Sequence, residues 1–137
     1  MEESFWPKLE AESVKTPLAI LKEQGEKLQE MTKGVLLYEI KKTGHSSLHK
    51  KNLIINDFYI VAPLLDNVKY LLFSIEYQST SIFPLHFINI NSFDTKDMIK
   101  IDDWASFKQT LKIILSDKKT KRILENLLAH SKEASTT

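Results

Sequence analysis

The amino-acid sequence predicts an α+β protein with an N-terminal helix, a four-stranded antiparallel meander sheet and two C-terminal helices packed on one sheet face. Apolar residues recur at helical spacing near both ends of the chain, whereas the middle is dense in Val, Leu, Ile, Tyr and Phe, which favour strands. The connections between the predicted strands are too short to hold crossover helices. Neighbouring strands are therefore expected to run antiparallel.

The chain has 137 residues, close to the commonest domain size, and we expect one α+β domain over residues 1–137. Residues 1–15 are predicted to form an N-terminal arm, in which Phe5 and Trp6 pack across the core. Residues 131–137 are predicted to form a frayed tail.

The first helix is predicted from about residue 16 to residue 33. Thr16 is a candidate N-cap, and Pro17 suits the first helical position because an N–H group there has no partner within the helix. Apolar residues then follow at helical spacing: Leu18, Leu21, Leu28 and Met31. Gly25 weakens the middle of this helix, and Gly34 is a natural C-terminal stop.

Four strands are expected, at about residues 35–43, 53–64, 68–78 and 82–91. Asp66 and Asn67 are typical of a two-residue turn, which would pair Leu65 with Val68. Counting outward from that turn fixes the predicted register of the second and third strands. In this register the facing pairs are Ile60 with Phe73, Phe58 with Ile75, Tyr59 with Ser74, and Asp57 with Glu76.

Two further helices are predicted near the C-terminus. The first has an apolar stripe and begins at Asp102 or Asp103 as its cap. Its stripe contains Trp104, Phe107, Leu111, Ile114 and Leu115. The stretch SDKKTK indicates a break, and the last helix carries Ile123, Leu124, Leu127 and Leu128.

Alternation of side chains along the strands divides the predicted sheet into two faces. The first is apolar in every strand and is expected to be the core face under the helices. It comprises Leu36, Tyr38, Ile40, Ile54, Phe58, Ile60, Leu71, Phe73, Ile75, Phe83, Leu85 and Phe87. The other, called the second face below, mixes apolar and polar residues, which is typical of a surface that meets a partner. Its predicted interaction residues are Leu37, Ile55, Tyr59, Val61, Tyr70, Leu72 and Ile88.

The second face also holds the candidate catalytic residues. The predicted register places Asp57 opposite Glu76, with His86 beside Ser74 and Tyr59 on the same face. Two close carboxylates raise the pKa of one of them, and two carboxylates with an imidazole could hold a divalent metal ion. A solvated sheet end is the alternative interpretation of the same residues.

Composition excludes several classes of protein. The chain has no cysteine, which removes disulfides and thiolate chemistry, and its net charge of +1 gives no overall attraction to nucleic acid. Only two basic segments could contact phosphates, namely His45, His49, Lys50 and Lys51 in the first loop, and Lys118, Lys119, Lys121 and Arg122. There is no membrane-length apolar run, no signal-like start, and no phosphate-binding glycine motif.

The sequence therefore predicts a small soluble cytoplasmic protein without a cofactor, which binds a protein partner or forms a homodimer through the second face. The first alternative is a small-molecule or metal-dependent enzyme that uses Asp57, Glu76 and His86, with Tyr59 as an orienting hydroxyl. The second alternative is weak nucleic-acid binding through the lysine-rich segments. Membrane association is not expected.

Overall fold

A computed structural model describes residues 3–11, 15–43, 52–91 and 98–136. The helices and strands follow one another in the order α1 (Pro17–Met31), β1 (Leu37–Lys42), β2 (Leu53–Ala62), β3 (Val68–Gln78), β4 (Ser81–Ile88), β5 (Ile99–Ile101), α2 (Trp104–Ser116) and α3 (Lys118–Ser135). The strands form one antiparallel sheet in the order β1-β2-β3-β4-β5.

The α+β prediction is confirmed, but the sheet among the described residues has five strands rather than four. Ile99 pairs with Phe87, and Ile101 pairs with Leu85, so β5 extends the sheet beyond β4. Three residues are too few to show an alternating pattern in the sequence, which is why β5 was missed.

Side-chain caps fix where the helices begin. The Thr16 hydroxyl accepts a hydrogen bond from the backbone N–H of Ala19 at 3.3 Å, and the Asp103 carboxylate accepts one from the N–H of Ser106 at 2.7 Å. Asp117 ends α2 and caps α3, which continues to Ser135. The predicted frayed tail is thus helical over most of its length.

The core lies between the sheet and the three helices. A row of aromatic rings crosses it from β1 to α2, with centroid separations of 5.3–6.0 Å between successive rings. The row consists of Tyr38, Phe58, Phe73, Phe87 and Phe107. Aromatic pairs at this separation stabilise a core beyond the area that they bury. The apolar sheet face is therefore the helix-covered face, as predicted.

The β2–β3 connection is longer than the predicted two-residue turn. Residues Pro63–Leu65 form one 3-10 turn, and Asp66 and Asn67 follow with φ angles of 55° and 59°. Proline starts this turn because its fixed φ matches the first helical position. Ala62 consequently pairs with Val68, and the predicted register was wrong.

The corrected register changes the facing pairs. Asp57 lies opposite Ser74 rather than Glu76, and Phe58 lies opposite Phe73 rather than Ile75. In the half of the β2–β3 pair far from the connection, each β2 residue faces a β3 residue two positions away from the predicted one. A shift of two residues preserves the alternation of side chains between the two faces. Each side chain there keeps its predicted face while its cross-strand partner changes.

A β-bulge then reverses the parity of β3 near the turn. The register shifts between Phe58 and Tyr59, which leaves Leu72 as the additional residue of β3. Ile60 consequently faces Tyr70, so Tyr70 and Leu72 lie on the helix-covered side and not on the predicted interaction face. Leu71, predicted for the core, lies opposite Tyr59 on the second face.

Candidate functional site

The second face is formed by four rows of side chains that cross the sheet. From the turn end, the rows are Leu37–Val61–Lys69, Glu39–Tyr59–Leu71, Lys41–Asp57–Ser74–Ile88 and Ile55–Glu76–His86–Lys100. Each row thus contains both apolar and charged side chains. This mixture differs from the uniformly apolar opposite face.

No described helix lies over the second face. The buried residues of the helices, such as Leu21, Phe107 and Ile114, belong to the core cluster on the other side of the sheet. Five apolar side chains of the second face are only half-buried, namely Leu37, Ile55, Tyr59, Leu71 and Ile88. This part of the sheet therefore presents apolar surface without a covering element among the described residues.

The candidate catalytic residues share the second face but do not all converge. Glu76 faces His86 directly across β3 and β4. Asp57 faces Ser74, which places it diagonally from Glu76, at about 7–8 Å between Cα atoms for such a pair. Tyr59 lies in the next row, opposite Leu71. The predicted opposition of the two acids is absent, whereas the pairing of Glu76 with His86 was not anticipated.

Asp57 instead belongs to a small buried polar cluster. Asp57 is 8% exposed, and its carboxylate accepts a hydrogen bond of 2.5 Å from the hydroxyl of Ser74, which is fully buried. The side-chain amide of Asn89 donates to the same hydroxyl at 3.4 Å. Asn89 has a φ of 52°, which asparagine tolerates better than most residues. The cluster holds the end of β4 against β3.

Asn89 was not identified from the sequence. The polar cluster requires Asp57, Ser74 and Asn89 to meet across three strands, and their separation along the chain gives no motif.

A hydroxyl that donates to a carboxylate resembles part of a nucleophile arrangement. His86, the residue that would act as a base, faces Glu76 in the neighbouring row. The described geometry is therefore that of a structural cluster.

Two ion pairs involve second-face residues in the part of the chain that the structure describes. Lys69 reaches across β2 to Glu39 at 2.7 Å between Nζ and Oε2. Lys100 lies 3.9 Å from Asp102, beyond the end of β5. Over residues 3–11, 15–43, 52–91 and 98–136, no three His, Cys, Asp or Glu side chains are grouped closely enough to hold a metal ion.

Burial raises the pKa of Tyr70, the residue that the β-bulge moves to the helix-covered side. The neutral phenol is favoured there because a phenolate would lose hydration. Tyr70 is therefore assigned to the periphery of the core rather than to the second face.

The basic segments are only partly described. His45, His49, Lys50 and Lys51 lie outside the described residues. The other segment forms the first turns of α3, where Lys118, Lys119, Lys121 and Arg122 are exposed. Their side chains project from a helix start, which is an unfavourable place for cations in the helix dipole.

Comparisons of the chain with protein-family models, with curated proteins and with solved structures each find no match. None of the helices in the described part of the chain has both the length and the apolar character that a membrane crossing needs. The functional argument consequently depends on the residues and their geometry.

Proposed function

We propose that this protein is a self-associating module and that its second face forms the interface of a homodimer. One observation carries the proposal: half-buried apolar side chains occupy a sheet face that no described helix covers. Antiparallel sheets often leave one face to water, but that face is then polar. Leu37 pairs with Val61 and Tyr59 pairs with Leu71 in adjacent rows, and such adjoining apolar side chains favour contact with another surface.

The dimensions of the sheet are adequate for such an interface. The two longest strands have 10 and 11 residues. With about 3.3 Å per residue and about 4.8 Å between strands, the five strands give a face of roughly 600 Å². A stable interface buries at least about 500 Å² on each partner. The second face thus supplies enough area for a small specific dimer.

The charges of the second face favour a second copy as the partner. The face carries acids, Glu39 and Glu76, together with cations, Lys41, Lys69 and Lys100. A twofold axis brings a surface against itself in the opposite orientation, so a surface with both signs can be complementary to its own copy. A surface of one sign would instead favour a partner of opposite charge.

Sedimentation equilibrium from low to high micromolar concentration tests the proposal. We expect a reversible monomer–dimer equilibrium. Ile55→Lys or Ile88→Lys should weaken dimerisation at least about 100-fold, because either substitution places an uncompensated charge in the interface. Ile113→Lys is the matched control, since Ile113 is 51% exposed on α2, on the opposite side of the sheet. Circular dichroism verifies that each variant is folded. A monomer at every concentration would contradict the proposal.

A second candidate function is favoured by the facing pair Glu76 and His86. A carboxylate beside an imidazole can serve in acid–base chemistry or contribute two ligands to a metal ion. Thermal unfolding with and without divalent ions tests the metal-dependent version. A rise in the melting temperature that Glu76→Gln abolishes would support it, whereas identical melting temperatures with zinc, manganese and magnesium would exclude it.

A further inference from the structure

A cavity of about 230 Å³ lies on the helix-covered side of the sheet. It is bounded by α1, α3, the end of α2 and the strands β2 and β3. Its walls are mainly apolar and include Leu28, Phe58, Ile60, Leu72 and Leu124. The bulged residue Leu72 is therefore part of a cavity wall. Met31, which is 74% exposed, stands at the rim.

A larger groove of about 920 Å³ runs between the first half of α1 and the second half of α2. Its apolar floor contains Ile20, Leu111 and Leu115. Leu115 and Gln24 also line the cavity, so the two depressions share a wall. The cavity and the groove thus adjoin, and the cavity is the smaller and the more apolar of the two.

The groove has an excess of positive charge. Lys15, Lys108 and Lys112 line the groove, and in the part of the chain that the structure describes no ion pair involves them. Glu23 is the acid of the groove, and its carboxylate lies 3.5 Å from the ammonium group of Lys27. The three other lysines thus remain available to an anion.

We propose that the cavity and the groove together bind a single-chain anionic amphiphile, with its alkyl chain in the cavity and its head group among the lysines of the groove. A medium-chain carboxylate in free solution is the simplest member of this class. The apolar cavity favours a chain without polar groups, and the lysines favour a negative head. This site lies on the opposite side of the sheet from the proposed dimer interface and does not depend on it.

The volume of the cavity sets the length of the chain. A methylene occupies about 30 Å³, close to the volume share of a water molecule, so the cavity holds roughly eight carbon atoms. Each methylene that enters an apolar site strengthens binding about fourfold. Affinity should therefore increase about fourfold per methylene from hexanoate to nonanoate and should level off for longer chains. Isothermal titration calorimetry of the full chain at low salt, below the micelle concentration, measures this series.

Two pairs of variants separate the tail from the head. Leu124→Trp should fill the cavity and abolish binding of decanoate, while Leu128→Trp, at a half-buried position of α3 that does not line the cavity, should leave binding intact. Lys108→Glu with Lys112→Glu should weaken decanoate binding about tenfold. The matched control is Lys118→Glu with Lys121→Glu on the exposed start of α3. Because both lysine pairs are exposed, these variants remain informative even where Leu124→Trp unfolds the protein.

Several results would overturn the proposal. The alkyl-chain assignment fails where affinity does not depend on chain length, and the anion assignment fails where decanol binds as tightly as decanoate. Sedimentation with vesicles that contain phosphatidylserine, without binding of free decanoate, would assign the lysines to a lipid surface. The prediction that Phe5 and Trp6 pack across the core was wrong, since they are 93% and 81% exposed, and these two residues give another control. If Phe5→Ser with Trp6→Ser tightened decanoate binding more than tenfold, the chain's own arm would be the occupant of the groove.

Discussion

Replacement of Gly25 by alanine is expected to destabilise the protein, although alanine normally stabilises a helix interior by about 1 kcal/mol relative to glycine. Gly25 is buried in the middle of α1, where the ring of Tyr38 packs directly on its Cα. A Cβ atom at residue 25 would overlap Cγ of that ring and would lie 2.5 Å from Cδ1 and from Cδ2. These atoms are the base of the ring, so rotation of the ring about its own axis cannot relieve the overlap.

The magnitude follows from how firmly Tyr38 is held. Its ring stacks on Phe58 with centroids 6.0 Å apart, and its backbone N–H donates to the side-chain carbonyl of Gln29 at 3.2 Å. Overpacking at a site that cannot relax costs about 1–3 kcal/mol. After the gain in helix propensity is subtracted, we expect a net loss of up to about 2 kcal/mol in the free energy of unfolding. For a chain of this size the melting temperature should fall by up to about 8 °C.

Urea denaturation of a double-mutant cycle measures this effect. In a Tyr38→Ala background the overlap is gone, and Gly25→Ala should stabilise the protein by about 0.5–1 kcal/mol. Glu26→Ala, at the exposed neighbouring position, is the control for helix propensity alone. The reasoning is refuted if Gly25→Ala stabilises the unmodified protein, or if its cost persists in the Tyr38→Ala background.

Three further predictions concern local structure. Gly34 has a φ of 80° with open space around it, so Gly34→Ala should cost about 1 kcal/mol in urea unfolding, and Gly34→Asn less. Ser74→Ala removes the hydroxyl that donates to the Asp57 carboxylate and should cost about 1–3 kcal/mol, and a loss below about 0.5 kcal/mol would show that the bond contributes little. Hydrogen bonds from Ser106 lower the pKa of Asp103, so its stabilisation is complete above the ordinary aspartate pKa and is lost as the pH falls through the lowered value. Asp103→Asn should therefore flatten the acid side of a stability profile measured by thermal unfolding, and an unchanged acid side would contradict this.

The helices and most strand positions could be predicted because their causes are local. Thr16 and Asp103 cap helices through bonds to residues three positions later, and such spacing is visible in the sequence. The apolar face of the sheet is likewise encoded by alternation within each strand. The length of the β2–β3 connection was not predicted, because Asp66 and Asn67 suit a two-residue turn as well as the end of a longer one. Pro63 was the residue that favoured the longer turn.

The proposed ligand site could not be found in the sequence, because tertiary packing creates it. Gln24 and Leu28 lie on α1, and Leu124 lies on α3, about a hundred residues later. Each of these side chains has an ordinary role on an amphipathic helix. The cavity exists because the three helices leave a space over the sheet. The sequence pattern of any one segment cannot predict that space.

The β-bulge was also not predictable from the sequence, and it contributes a residue to the proposed ligand site. Residues 70 to 73 read Tyr-Leu-Leu-Phe, so the segment is apolar at both parities, and an additional residue breaks no alternation that could be recognised. A bulge at a polar position would have placed a charge in the core and so would have been detectable. Because it occurs at Leu72, the same residue changes from the proposed dimer interface to the wall of the cavity. The assignment of one side chain to a face thus decides which of the two proposed sites it can serve.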